Sequence, residues 1–278
     1  MLHSPLTSFS CPGRLARSLA LIPAASLLLL AASVSHAVTQ VQTVTVGNNG
    51  NASITTDLNG VIFSNALTLF DRSAVLAANP GNSVTLDDVV LTFTTQVSTG
   101  GSLQNQASQS QSFSFSLALN SYVGGGSVSG TGATAQNIIV TNFGSGSAGD
   151  VTQNFPRVTY TDVATNATVG YPNSANPNAI TTLSTSPTRT LTDATSLSAF
   201  TGTGSFNLSL STLTSLAVSG GGGNIAANLN TLAGGTFRLQ YDYTLAAVPE
   251  PSTWGMVAAG AGLLGVILRQ RRRLSVRG

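Results

Sequence analysis

The sequence predicts an all-β fold, an antiparallel β-sandwich of jelly-roll kind, set between an N-terminal signal helix and a single C-terminal transmembrane helix. Three observations predict it. From residue 38 to residue 246 apolar and polar residues alternate with period two, the spacing of side chains on one face of a strand. Gly, Asn and Ser clusters separate the alternating runs, as turns do. At each end of the chain a charge-free apolar run adjoins arginines, and charge elsewhere is scarce, since Asp, Glu, Lys and Arg make up only 7% of the residues.

Residues 1–37 read as a secretory signal. Arg14 and Arg17 precede the apolar run SLALIPAASLLLLAA (18–32), and SVSHA places Ser35 and Ala37 at the −3 and −1 positions read by signal peptidase. Cleavage is therefore expected before Val38. The body, 38–246, follows. QSFSFSLALN (111–120) points Phe113, Phe115, Leu117 and Leu119 one way and serines the other. GTFRLQYDYTLA (235–246) does the same with Phe237, Leu239, Tyr241, Tyr243 and Leu245. Further strands are expected in TQVQTVTV (39–46), GVIFSNALTLF (60–70), SVTLDDVVLTFTTQV (83–97), QNIIVTNF (136–143), PRVTYTDV (156–163) and GSFNLSLSTLTSLAV (204–218). Threonine and valine favour strands, and uncharged polar faces suit an antiparallel sheet wet on one side. Residues 164–200, with three prolines and no sustained alternation, are expected to form a long loop, either an excursion from the sheet or a flexible segment. No helix of three or more turns is expected in the body.

Composition excludes most chemistry. The chain has eleven arginines and no lysine, and a formal charge of +2, yet the arginines concentrate at the termini. The body holds four arginines against eight aspartates, a net charge of −4. No basic stripe remains to neutralise phosphates, so no nucleic-acid partner is expected. Cys11, His3 and His36, the only cysteine and histidines, all precede residue 38, which leaves the body without Ser-His or Cys nucleophiles and without the usual zinc or copper ligands. No cofactor is expected. GSGSAG (144–149) matches a dinucleotide fingerprint, but that motif needs a helix after it, and the strand-like DVTQNFPRV follows. Calcium needs only aspartate and carbonyl oxygens, but the Asp-rich loop pattern is absent, and strict alternation would send Asp87 and Asp88 to opposite faces. Of the five body tyrosines, Tyr160, Tyr241 and Tyr243 fit core positions, while Tyr122 and Tyr171 lie near loops and are the candidate glycan contacts.

Residues 247–278 form a separate segment. The span 252–268, STWGMVAAGAGLLGVIL, carries no charge and as a helix would run about 25 Å, slightly less than the roughly 30 Å hydrocarbon core. Trp254 would sit at one interface, and Arg269, Arg271, Arg272 and Arg273, in the basic tail 269–278, would hold the other end in the cytoplasm. Pro249-Glu250-Pro251, the apolar span and the arginine cluster, in that order, resemble the PEP-CTERM sorting signal of exported bacterial proteins. That resemblance implies recognition near Pro249, Glu250 and Pro251 by an exosortase in the inner membrane, in bacteria that make exopolysaccharide. LTLFDRSAVLAANPGNSVTLDDVVLTFT, FTGTG and the tyrosine-rich final strand resemble a choice-of-anchor E domain, a β-rich extracellular domain for which no catalytic residues are implied; residues 98–200 depart from it.

The expectation is a non-enzymatic surface or extracellular-matrix protein with a structural or adhesive role in biofilm or exopolysaccharide. Its partners would be signal peptidase and exosortase during export. It would be anchored transiently in the inner membrane, then released to the cell surface or matrix. The alternatives are a carbohydrate-binding module and an Asp-dependent glycosidase, which would need two facing carboxylates in a cleft.

Overall fold

A computed structural model describes residues 35–57, 60–62, 67–125, 132–147, 149–248 and 251–275, all within one compact unit, Val34–Gly278. The expected signal helix, with Arg14 and Arg17, lies outside the described residues.

The elements in chain order are β1 (Ser35–Val46), β2 (Ile54–Thr55), β3 (Val61–Ile62), β4 (Leu67–Thr68), α1 (Arg72–Ala78), β5 (Asn82–Asn105) and β6 (Gln111–Gly125). Next come α2 (Ala133–Phe143), β7 (Val151–Asn154), β8 (Val158–Val163), β9 (Thr168–Tyr171), β10 (Thr181–Thr185), β11 (Thr188–Leu191) and α3 (Ala194–Ala199). The chain closes with β12 (Ser205–Phe206), β13 (Leu208–Gly220), β14 (Ile225–Ala247) and α4 (Pro251–Ser275). All pairing between these strands is antiparallel, and one isolated bridge outside them, Phe70↔Thr201, is parallel. One sheet is built on β14 and β5, which pair from Ile225↔Asn105 to Ala247↔Asn82; β1 and β2 flank β14, and β9, β10 and β11 flank β5. The other runs β3-β13-β6-β7, with β8 also on β6, and β12 pairs with β4 separately.

The two sheets share their core, which makes a sandwich. Val89, Leu91, Phe93, Phe237, Leu239 and Tyr241 of the first sheet join Val123, Leu208 and Leu210 of the second in one cluster. Val97 and Leu103 join Phe113, Phe115, Leu117 and Leu119 in another. The inward residues of β6 and β14 are those that alternation predicts, and Tyr160, Tyr241 and Tyr243 are buried as expected. Edge-on ring contacts, such as Phe143 on Phe237 at 5.9 Å, add directional packing to area burial.

Several expectations are overturned. QNIIVTNF is not a strand: it belongs to α2, an eleven-residue helix of the body. Its buried residues are Ala135, Gln136, Ile139 and Phe143, a helical spacing that two adjacent isoleucines obscure. GSGSAG accordingly follows a helix and precedes strand β7, the reverse of the order a dinucleotide fingerprint requires. Within GVIFSNALTLF the described residues form β3 and β4, which pair with different strands, β13 and β12. Residues 164–200 are no irregular excursion: they supply β9, β10 and β11, all paired to β5, and α3. Each of these strands is four or five residues long, too short for alternation to be read.

A strap, described at residues 53–57 and 60–62, links the sheets along one side of the sandwich. Ser53 N donates to Ala233 O at 3.2 Å and Thr56 N to Thr231 O at 3.0 Å on β14. On β13, Thr214 N donates to Asp57 Oδ1 at 2.7 Å and Thr214 Oγ1 to Thr56 Oγ1 at 3.1 Å, while Thr56 Oγ1 also meets Thr231 Oγ1. Four consecutive glycines, Gly220–Gly223, carry β13 into β14; all have φ between 60° and 88°, a run only glycine tolerates.

Candidate functional site

The sandwich sends both of its chain ends out at one place. β1 pairs with the last stretch of β14, and the register sets Ser35 opposite Ala246, Ala37 opposite Thr244 and Val38 opposite Tyr243. The three positions expected for signal peptidase therefore lie beside the strand that leads into the C-terminal segment. Ser35 and Ala37 are exposed. A chain beginning at Val38 would keep the nine paired positions from Val38↔Tyr243 to Val46↔Gly235. The last backbone tie of the body is Val248 N to Gly81 O, 2.9 Å. Pro249 and Glu250 lie outside the described residues.

α4 begins at Pro251, a residue suited to the first helical turn because it has no N–H to leave unpaired. Met256, Leu263, Leu264, Val266, Ile267 and Leu268 are all at least 48% exposed. A methyl group added at Gly255, Gly260, Gly262 or Gly265 would meet nothing within 4 Å. Apolar residues thus face outward all round α4, the distribution of a helix whose apolar surface is covered by something other than its own domain. Among the described residues no helix is long and apolar enough to cross a membrane, so the expected transmembrane helix at 252–268 is not shown. Arg269 is exposed at the end of the apolar run, and Trp254, Arg271, Arg272 and Arg273 fall within the helix.

Four of the eight aspartates of the body accept hydrogen bonds from backbone N–H groups. Asp71 caps α1 through Ser73 N and Ala74 N, at 2.9 and 3.0 Å. Asp193 caps α3 through Ser196 N, and hydrogen bonds from Ser196 hold its carboxyl below the usual range. Asp57 fastens the strap, and Asp150 accepts from Gly146 N at 2.9 Å.

Asp88 and Asp242 differ: they face each other across β5 and β14. A register shift at Asp242/Tyr243 leaves Asp87 as an extra residue in β5, so strict alternation fails there. Asp87 Oδ2 accepts from Thr244 Oγ1 at 2.6 Å while Asp88 lies against Asp242. Both carboxylates therefore reach the same side of β14, contrary to the expectation of opposite faces. Partial burial, then the neighbouring Asp242 and Asp87, push the Asp88 carboxyl up. Burial also opposes the charge on Asp242, but hydrogen bonds from Thr39 and Gln240, with Arg238 nearby, hold it below the usual range. Among the described residues no group of three or more His, Cys, Asp or Glu side chains could hold a metal ion.

Tyr171 cannot be a glycan contact. It is fully buried, its ring lies edge-on to Phe115 at 4.8 Å, and its hydroxyl donates to Pro156 O and accepts from Leu117 N, both at 3.1 Å. Nearness to a loop in sequence misled, because Tyr171 ends β9 on its inward side. Tyr122 is half-buried on β6, between the buried Ser121 and Val123. A surface hollow of about 750 Å³ beside Thr68, Asp71 and Gly202 contains one aspartate, the one already spent on α1.

Residues 247–273 match the PEP-CTERM protein-sorting motif. A motif of this kind implies an exported protein sorted by an exosortase. No curated protein matches the chain. Among solved structures, the Macrobrachium rosenbergii nodavirus is similar at 10% identity over 89% of this chain and 62% of that one, with a TM-score of 0.23. The infectious bursal disease virus VP2 subviral particle is similar at 12% identity over 85% and 49%, with a TM-score of 0.17. The chain spans only about half to three-fifths of the length of these proteins. At such TM-scores the likeness adds nothing to the fold described above.

Proposed function

We propose that this chain is a bacterial cell-surface or extracellular-matrix protein with a non-enzymatic structural or adhesive role, associated with exopolysaccharide and released from the inner membrane by exosortase cleavage near Pro249-Glu250-Pro251. Residues 252–268 cross the membrane in the precursor, with Trp254 at the outer interface and the arginines inside. The body has the jelly-roll-like wiring in which consecutive long strands, β5 to β6 and β13 to β14, change sheets, and it resembles a choice-of-anchor E domain.

The single observation that carries this reading is the pairing of Ser35–Val38 with Tyr243–Ala246. It brings the two membrane-directed segments out at one end of the sandwich, so the body can fold outside while both remain in the bilayer. The commitment of Asp57, Asp71, Asp150 and Asp193 to backbone hydrogen bonds supports a role without hydrolysis. The carbohydrate-binding alternative now rests on Tyr122 alone.

Fractionation of host cells with and without the exosortase tests the reading. The body should leave the membrane fraction only when the enzyme is present. Equal release from both strains would overturn it, and so would aspartate-dependent hydrolysis of the host polysaccharide by the released body.

A further inference from the structure

The strap leaves part of the sandwich side open. Beyond Leu210 no described strand pairs with β13 on the side away from β6, and the last backbone group of β13 engaged there is Thr214 N, held by Asp57. In an antiparallel pair a residue points both its N–H and its C=O either toward the partner or away. Thr214 points away from β6, and the register with β6 runs unbroken to Gly220, so Leu216 and Val218 point away as well. Their side chains lie on the core face, opposite Leu117 and Phe115, yet Leu216 is 55% and Val218 46% exposed. The edge therefore offers four open backbone groups and two apolar side chains together.

Natural edge strands of this kind are usually blunted by lysine, proline, an inward charge or a covering segment. β13 has no charged residue and no proline. The other long free edge, β1, is covered in part: Gln42 Nε2 donates to Thr68 O at 2.9 Å and Thr68 N donates to Gln42 Oε1 at 2.7 Å, which holds β4 against it.

We infer that this edge is an interface between two copies of the chain, joined antiparallel through Ser215–Ser219 with the two-fold axis at Ala217. The sequence Ser215-Leu216-Ala217-Val218-Ser219 reads nearly the same in both directions. A two-fold at Ala217 sets serine against serine, alanine against alanine, and leucine against valine twice. Its hydrogen-bond phase is the one the strand already has: Leu216 and Val218 of one copy exchange both backbone bonds with Val218 and Leu216 of the other. Four backbone bonds form, and the four exposed apolar side chains make one row on the core side, joining the two β6-containing sheets into a single continuous sheet.

Charge favours the same occupant. The body carries a net −4, so copies repel at most approaches, whereas residues 213–230 contain no charged group at all. A charged partner would find nothing there to steer it. The two Asp57 carboxylates flank the ladder at opposite ends, about 20 Å apart at 3.3 Å per residue, well beyond the roughly 8 Å screening length of physiological salt. The contact is smaller than the roughly 1,600 Å² of a standard interface, so pairing is reversible in dilute solution and strengthens where many copies share one surface. It does not depend on the sorting reading.

Disulfide trapping of the full chain in detergent, with Cys11→Ser as background, tests the register. Ala217→Cys places two cysteines opposite each other at a non-hydrogen-bonded pair, within bridging distance. Ser215→Cys alone separates them by about four residues along the strands, beyond reach. The expected result is a covalent dimer from Ala217→Cys at least tenfold in excess of that from Ser215→Cys. Ser215→Cys mixed with Ser219→Cys should restore the dimer, and adding Val218→Arg to Ala217→Cys should abolish it while circular dichroism stays unchanged. Equal trapping of Ala217→Cys and Ser215→Cys, or trapping insensitive to Val218→Arg in a folded protein, would overturn the inference.

Discussion

The body and the C-terminal segment of this protein store their information in opposite ways. In the body, Phe93, Phe115, Phe237 and Tyr171 each have 0% exposure, and β5 and β14 are held at 23 paired positions, so identity is spread over many contacts. In α4 the apolar residues face outward and four glycines have empty space around them. A contact-rich region tolerates conservative change at most positions and fails when a large buried group is lost. A region whose described apolar side chains are exposed has little packing to lose, and what it does must be read by something else.

The sharpest way to break the comparison is at Glu250. Glu250 lies outside the described residues and within the sorting motif, and if it serves as an address, Glu250→Ala should leave the thermal transition of the body unchanged while processing of the C-terminus is lost, as read by gel mobility of the chain in cells. A change in melting temperature would show that the tail is part of the fold.

The converse change is Tyr171→Ala. It removes a buried ring and leaves Pro156 O and Leu117 N without their partner, and large aromatic truncations cost about 3–5 kcal/mol. Urea denaturation of the body should show a loss of that order. A glycan-binding defect with unchanged stability would restore the functional reading of this tyrosine.

Asp57→Ala probes the strap. It removes a single hydrogen bond to a strand edge, for which a loss of about 1 kcal/mol is expected, together with faster amide exchange at Thr214.

The smallest effect concerns Asp88. Its carboxyl titrates above its unfolded value, so the folded state holds the proton more tightly and gains stability as pH falls through that raised value toward the unfolded one. Asp242 works in the other direction, since its contribution is present near neutrality and is lost only as pH falls through its lowered value. Asp88→Asn removes the repulsion and should raise Tm at pH 7 by about 2 °C, the shift expected of under 1 kcal/mol at a partly exposed pair. The gain should vanish near pH 4, as seen by calorimetry at both pH values.

What was legible in the sequence follows from the length over which a pattern is sustained. β6 and β14 run long enough with one face buried that Phe113, Phe115, Phe237 and Tyr241 declare their side. The short strands β9, β10 and β11 take their conformation from pairing with β5, a partner distant in sequence, and local pattern carries no trace of it. The α2 helix was misread because Ile138, Ile139 and Val140 fit a strand as well as a helix, and burial by Phe143 and Ile139 decided between them. The Asp87 bulge is likewise a property of two strands together. The sorting segment was legible because it is meant to be read as a linear string, with no fold needed to assemble it.

The central claim is that the tail is a cleavable address on a self-sufficient body. Intact mass and C-terminal peptide analysis of the protein recovered from host cells tests it most directly. Wild-type chain should end near Pro249-Glu250-Pro251 and lack residues 252–278, and Glu250→Ala should retain them in the membrane fraction with the body still folded. Recovery of the wild-type protein with its C-terminal arginines intact, from the cell surface or the medium, would contradict the account.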